Sequence, residues 1–343
     1  METLTIAYAT DENYAKLVWC SLKSLLENNA NFFTVKAYII SDNLSNSSKD
    51  KLSNLISSYN GKICFIEFDS IAYGLDNACT FQNGKTSYAR LFLAQIVKEN
   101  KILYLDCDTL INHSLCDLWN TDLEGYYIAG VKDIIAPQLK QDIQLLPTDI
   151  YINAGILLIN IQEWKKNKIE SQFIAYIKKM NGKISCHDQG IINHVCKNKI
   201  KTISCTYNVM TPFFYLSSLQ IKEIFELKDY YNDIEIKEAI SHPHILHFTA
   251  GWHIRVWYSN SKHPYAYLFK KYYNLSPWKK PSLIQTEITV TIILNNPPYK
   301  MIYPIAFHMK TTADKINANT DQTKPKNREK PSPTLRQNER LGR

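Results

Sequence analysis

The first seventy residues switch repeatedly between two hydrophobic periods. Short apolar runs over residues 4–9, 35–40 and 63–68 read as strands. Between them, residues 14–27 carry Leu17, Val18, Leu22, Leu25 and Leu26 at helical spacing, and residues 47–59 carry Leu52, Leu55 and Ile56. Strands separated by helices cannot pair as hairpins. They need crossover connections, and those produce a parallel sheet with helices on its faces. The expected fold is therefore α/β with a mainly parallel central sheet. Such a sheet gathers the carboxyl ends of its strands on one edge, which is where ligands bind.

The stretch Lys101-Ile-Leu-Tyr-Leu-Asp-Cys-Asp-Thr-Leu110 shows what that edge could do. Its apolar start does not alternate with polar residues, so it reads as a strand covered on both faces. It runs directly into Asp106 and Asp108. Two close carboxylates repel, and burying them uncompensated costs several kcal/mol. A divalent cation with a preference for oxygen donors removes that cost and could clamp a diphosphate. Asp is also common at plain strand-to-turn junctions, so the pair alone does not decide the matter.

Further along, residues 86–98 and 163–180 read as helices, residues 126–131 and 244–248 as strands, and residues 187–195 as a shorter helix. Tyr151-Ile-Asn-Ala-Gly-Ile-Leu-Leu-Ile-Asn160 is an apolar run interrupted by Asn153 and Gly155. Polar residues recur where strands end: Asp11 and Asn13, Asp106 and Asp108, Asp133, Asn153, Asp188 and Gln189, and His247. Each has an ordinary account as a cap, turn or core residue. A parallel topology would bring them together.

The charge of +8 suits a polyanionic partner. With no zinc finger, aromatic RNA-binding signature or dense basic helix, nucleic acid is the weaker choice. The eight cysteines form no C-x-x-C pair, which argues against structural zinc and fits a reducing cytoplasm. No signal peptide is read at the N-terminus, and no run approaches the ~18 apolar residues of a membrane span. Residues 287–294 alternate like a strand. Residues 311–343 are rich in Lys, Arg, Asn and Pro and are expected to be disordered.

Six blocks, in this order, resemble glycosyltransferase family 8, most closely its bacterial lipopolysaccharide and lipooligosaccharide α-galactosyl- and α-glucosyltransferases. They are Ile6-Ala-Tyr-Ala-Thr-Asp-Glu-Asn-Tyr14, Thr86-Ser-Tyr-Ala-Arg-Leu91, Tyr104-Leu-Asp-Cys-Asp-Thr109, Asn153-Ala-Gly-Ile-Leu-Leu-Ile-Asn160, His187-Asp-Gln189 and Ile245-Leu-His-Phe-Thr249.

The resemblance implies a Rossmann-like GT-A catalytic domain over residues 1–280. A C-terminal extension over 281–310 that touches membrane and a basic tail over 311–343 would follow it. It implies that Asp11 and Asn13, with Tyr14 in the same block, hold the uracil of UDP-galactose or UDP-glucose. Asp106, Asp108 and His247 would bind the metal, with the imidazole favouring Mn²⁺ over Mg²⁺. Arg90 would contact the donor sugar, and Asp133, Asn153, Asp188 and Gln189 would surround the transferred hexose. The family places a lysine on the diphosphate after the metal histidine. Here the loop looks two residues longer, and Arg255 takes that place, with His253 competing.

The activity implied is retaining transfer of a hexose to a saccharide acceptor, the lipopolysaccharide core, on the cytoplasmic face of the inner membrane. Gln189 is the group nearest the anomeric centre, and an amide is a poor nucleophile. Front-face transfer is therefore expected over a covalent glycosyl-enzyme. A nucleotidyltransferase would want a glycine-rich phosphate loop, which residues 9–14 lack. A glycoside hydrolase would need two carboxylic acids across the scissile bond. A non-catalytic nucleotide-sugar-binding protein would not need the full metal triad. The basic, aromatic stretch from Tyr299 to Lys310 would suit an anionic inner-membrane surface.

Overall fold

The computed structural model describes residues 2–71, 75, 85–249, 255–258, 260–278, 291–292 and 303–304. The chain divides into two units, Met1–Gln285 and Thr286–Arg343.

The first unit is built on a seven-stranded sheet. Its strands are β1 (Glu2–Asp11), β2 (Phe33–Asp42), β3 (Lys62–Glu67), β4 (Lys101–Leu105), β6 (Ile128–Lys132), β7 (Ile152–Asn160) and β8 (Ile200–Thr202); β5 (Thr109–Ile111) lies in a second sheet. The order is β3-β2-β1-β4-β7-β6-β8. Pairs β1–β2, β2–β3, β1–β4 and β6–β8 are parallel, whereas β7 runs against both β4 and β6. The mainly parallel α/β sheet expected from the alternation is present, with β7 as its one reversed strand.

That reversal matters for position. It sets the beginning of β7 beside the end of β4, so that Leu105 pairs with Ile156 and the Asp106 N–H donates to the Gly155 carbonyl at 2.7 Å. Both faces of the sheet are covered. Along β1, Leu4, Ile6 and Tyr8 enter one apolar core and Ala7 and Ala9 the other. Along β4, Leu103 and Leu105 oppose Ile102 and Tyr104 in the same way. Fully burying side chains of this size stabilises by about 1.5–3 kcal/mol each, which explains why these strands lack a polar face.

The smaller sheet has three short strands in the order β5-β10-β9, with β9 at Val209–Met210 and β10 at Ile245–His247. Helix Ala15–Asn29 is tied to the start of this layer. Ser21 hydrogen-bonds Thr109 at 2.8 Å, and the Ser24 hydroxyl accepts from the Ile111 N–H at 2.9 Å. Through β5 and β10 the small sheet carries His247 towards the end of β4.

Two expected helices differ. Residues 86–98 form a 3₁₀ stretch, Lys85–Phe92, followed by the short helix Leu93–Ile96. The helix expected over 163–180 is two, Ile161–Lys166 and Ile169–Lys179, broken where Lys168 adopts φ +52°. Among the described residues no helix is long and apolar enough to cross a membrane. In the second unit, Thr291–Ile292 pairs antiparallel with Tyr303–Pro304. The rest of the strand expected over 287–294, and the tail over 311–343, lie outside the described residues.

Candidate active site

The end of β4, the start of β7 and the end of β10 converge on one point. Asp106, Asp108 and His247 each present a ligand atom there, all within 4.8 Å of one another. His247 Nε2 lies 3.3 Å from Asp108 Oδ1 and 3.8 Å from Asp106 Oδ2. The imidazole is buried, at 5% exposure. Burial alone would lower its pKa, but Asp108 and Asp106 raise it. Burial would raise the Asp108 carboxyl, yet His247 and Arg255 hold it well below the usual carboxylate range. Space is reserved as well: a β-carbon on Gly155 would stand 2.8 Å from Asp106 Oδ2 and 3.0 Å from Asn153 Oδ1. Two carboxylates, one imidazole and an enforced gap fit a divalent cation.

Arg90 binds this point to the next carboxylate. In a 3₁₀ winding, residues three apart eclipse, so Ser87 and Arg90 face the same way and both reach Asp188. Ser87 Oγ donates to Asp188 Oδ1 at 3.0 Å, and Arg90 Nε lies 3.0 Å from Asp188 Oδ2. Arg90 Nη2 also donates to Asp106 Oδ1 at 2.8 Å, and Nη1 donates to the Ala154 carbonyl. The guanidinium sits 4.4 Å from the centre of the Tyr104 ring. Burial opposes its charge, but Asp106 and its neighbours push its pKa up. Burial raises the Asp188 carboxyl, and Arg90 partly offsets that.

A third group continues the line. Gln189 Nε2 donates to Asp133 Oδ2 at 2.8 Å and to Tyr151 OH at 2.9 Å, while its Oε1 accepts from the Ala154 N–H at 2.9 Å. Asn153 Nδ2 donates to the same Asp133 oxygen at 3.1 Å. Burial pushes the Asp133 carboxyl up against these hydrogen bonds. Asp188 and Gln189 lie in the first turn of helix His187–Cys196, whose cap Cys186 (φ +59°) and first residue His187 (φ +51°) are both left-handed. Gly190 is required beside them, because a β-carbon there would stand 2.1 Å from the Ser185 carbonyl.

A cleft of about 220 Å³ opens over the Asp106–Asp108 pair, lined also by Asp11, Tyr14, Ser87, Arg90 and Tyr104. Asp11 accepts from the Tyr14 N–H at 3.0 Å, and Asn13 is exposed in the same turn. The Tyr14 ring is 42% exposed and stands edge-on to Trp257, with 6.4 Å between centroids. Arg255 bonds Asp108 Oδ2 and the Phe248 carbonyl, so it lies directly against the carboxylate pair. His253, its competitor in the sequence, lies outside the described residues. A second cavity of about 230 Å³ is bordered by Asp133, Tyr151, Lys132 and Lys228. All twelve residues singled out from the sequence therefore fall on this edge or its rim.

The family model of glycosyl transferase family 8 matches residues 5–260. The chain belongs to glycosyltransferase family 8. A Haemophilus influenzae protein bearing a glycosyltransferase name is 32% identical over 220 residues, 62% of this chain and 64% of that one. A lipopolysaccharide 1,2-glucosyltransferase of Escherichia coli is 29% identical over 290 residues, 81% of this chain and 80% of the relative. Among solved structures, the galactosyltransferase LgtC in complex with donor and acceptor sugar analogues superposes with a TM-score of 0.66 at 22% identity, over 81% of this chain and 98% of that one. That likeness establishes a GT-A fold.

Within this family 8 site, Asn208, Tyr151 and Ser87 escaped the strand-end pattern. Asn208 is fully buried and bonds His247 Nδ1 at 3.0 Å. It sits just before β9, a strand of two residues, too short to show a period. Tyr151 hides at the head of an apolar run. Ser87 was within reach only by knowing that its segment winds as 3₁₀.

Proposed function

We propose that this glycosyltransferase moves galactose or glucose from a UDP-hexose to a saccharide acceptor with retention of configuration. We take the acceptor to be the outer core of lipopolysaccharide or lipooligosaccharide. The observation that carries the reading is the Asp106–Asp108–His247 cluster at the floor of a cleft whose rim holds Asp11 and Tyr14. Similarity to the Escherichia coli lipopolysaccharide glucosyltransferase supports the acceptor class.

Asp106, Asp108 and His247 would hold the metal, and Mn²⁺ suits the imidazole better than Mg²⁺. Bound there, it would supply positive charge to the leaving diphosphate. Asp11 and Asn13 would bind uracil beside the exposed Tyr14 ring. Arg255 would share its guanidinium between Asp108 and the diphosphate, gripping phosphate bidentately. Asp188, fixed by Arg90 and Ser87, would orient sugar hydroxyls, as would Asp133 and Asn153. The second cavity beside Asp133 would give the acceptor room.

Gln189 is a poor nucleophile for an added reason: its Oε1 is committed to the Ala154 N–H and its Nε2 to Asp133 and Tyr151. Front-face transfer, with the leaving phosphate accepting the acceptor's proton, fits that arrangement. Residues 1–280 would form the catalytic domain of a protein working on the cytoplasmic side of the inner membrane, with 281–310 resting on its anionic surface.

The test is incubation with UDP-galactose or UDP-glucose, Mn²⁺ and a lipopolysaccharide-core acceptor, following UDP release. Transfer abolished by EDTA and restored by Mn²⁺ is expected. UDP-hexose turnover that ignores EDTA would overturn the metal-dependent reading.

A further inference from the structure

The hydrogen bonds behind His247 fix which of its nitrogens carries the proton. The Gly155 N–H can only donate, and it meets Asn153 Oδ1 at 2.9 Å. That sets the Asn153 amide, with its Nδ2 left to donate to Asp133 Oδ2. The Asn208 atom facing Asn153 Oδ1, at 3.0 Å, must therefore be its donor, Nδ2. Asn208 Oδ1 is then the atom 3.0 Å from His247 Nδ1, and an amide oxygen only accepts. The proton is on Nδ1. Nε2 points at Asp108 Oδ1 and Asp106 Oδ2, where its lone pair would meet a bound cation and, without one, a second proton sits between ring and carboxylates.

We propose that Asn208 is the positioning residue of the metal site, holding His247 as its Nδ1–H tautomer with Nε2 aimed at the Asp106–Asp108 pair. This rests on the metal reading of that cluster. Asn208 takes its own orientation from the Gly155 backbone through Asn153, the residue proposed to face the hexose. One amide thereby joins the metal half of the site to the sugar half. Asn208 is 0% exposed, and a fully buried amide with both ends engaged cannot rotate without stranding a polar group.

The experiment is Mn²⁺ titration of the full chain, without sugar nucleotide, by electron paramagnetic resonance. Asn208→Leu removes the acceptor behind His247 and is expected to weaken Mn²⁺ binding by about 10–100-fold, the usual cost of losing such a partner. Asn208→Asp keeps an acceptor for Nδ1–H but removes one of the two donors to Asn153 Oδ1, leaving the Gly155 N–H alone and setting an oxygen against it. It is expected to retain most Mn²⁺ affinity while KM for the donor sugar rises. A folded Asn208→Leu protein that binds Mn²⁺ within twofold of wild type would overturn the proposal. So would Asn208→Asp losing as much affinity as Asn208→Leu, since that pattern marks mere structural support. Should the leucine variant not fold, the ¹⁵N shifts of His247 in the wild-type chain decide: a proton on Nδ1, with or without a second on Nε2, supports the proposal, and a bare Nδ1 beside an Nε2–H overturns it. His247→Ala is the control for the underlying reading. If it bound Mn²⁺ as wild type does, the cluster would not be the metal site at all, a result distinct from a silent Asn208.

Discussion

Gly155 lies so close to His247 that a β-carbon on it would stand 2.3 Å from the imidazole Cε1. Neither neighbour can give way, because β4–β7 pairing holds the backbone at 155 and Asn208 holds the ring. Gly155→Ala should therefore lose Mn²⁺ binding and glycosyl transfer, with the large sheet intact. Mn²⁺ titration alongside a thermal melt checks this. A folded alanine variant that still binds the ion would show that the imidazole can move.

Asp106→Ala and Asp108→Ala should each reduce UDP-hexose transfer by at least about a hundredfold, the scale of losing a group that stabilises developing charge. Gln189→Ala should retain measurable transfer, with the anomeric configuration of the product unchanged. If Gln189→Ala is as inactive as Asp108→Ala while folded and still binding UDP, front-face transfer fails.

Arg255 touches both Asp108 and the Phe248 carbonyl. Removing it should weaken UDP binding and leave the fold alone. Arg255→Ala is expected to raise the Kd for UDP about tenfold, the value of one charge-assisted hydrogen bond. Arg255→Lys should recover part of this. Calorimetric titration with UDP and Mn²⁺ measures both, and unchanged UDP affinity in Arg255→Ala would move the diphosphate contact elsewhere.

Glu170 accepts from the Ala94 N–H at 2.6 Å and joins helix Ile169–Lys179 to helix Leu93–Ile96, just after Arg90. Burial raises its carboxyl to about 7, against the hydrogen bonds it accepts. A carboxyl raised in the folded state holds its proton better there than in the unfolded chain. Its contribution is therefore complete below the unfolded value, near 4.5, and is lost as pH climbs to about 7. Glu170→Gln keeps an acceptor for Ala94 without that titration. The variant should melt at nearly the same temperature as wild type at pH 5 and above it at pH 7.5. Identical melting curves at both pH values would remove the linkage.

Truncation after residue 280 should leave UDP release on a soluble acceptor near the full-length rate while abolishing sedimentation with vesicles containing anionic phospholipid. Retained vesicle binding by the truncated chain would place the membrane contact within the catalytic unit.

How far the sequence discloses this site depends on element length. Runs of five residues or more declared themselves: β1 to β4 and β7 follow from alternation and apolar content, and their ends delivered Asp11, Asp106, Asp108 and Asn153. Of the small sheet only β10 is legible, as the strand read over 244–248 with His247 at its end, and the family resemblance adds the expectation that His247 binds metal. Strands β5 and β9, of three and two residues, have no period to read, and Asn208 beside β9 comes from neither source. The segment holding Arg90 winds as 3₁₀ where an α-helix is expected. Its apolar residues, Leu91 and Phe92 among them, suit an α-helix by spacing. What tightens it is tertiary: Asp188 and the Ala154 carbonyl draw Ser87 and Arg90 to one side.

The proposed third ligand, His247, rides on β10, the last strand among the described residues of the large unit, 139 residues after Asp108. A ribosome adding about 5–20 residues per second needs roughly 7–28 s to cover that interval. Throughout it, Asp106 and Asp108 are already synthesised and their histidine is not. If the proposed metal site is right, a nascent chain would offer a cation only two carboxylates, a weak and exchangeable hold. Secure loading would wait until β10 has docked beside β5. Metal acquisition would then be a checkpoint on translation: only a chain made through residue 247 could pass it.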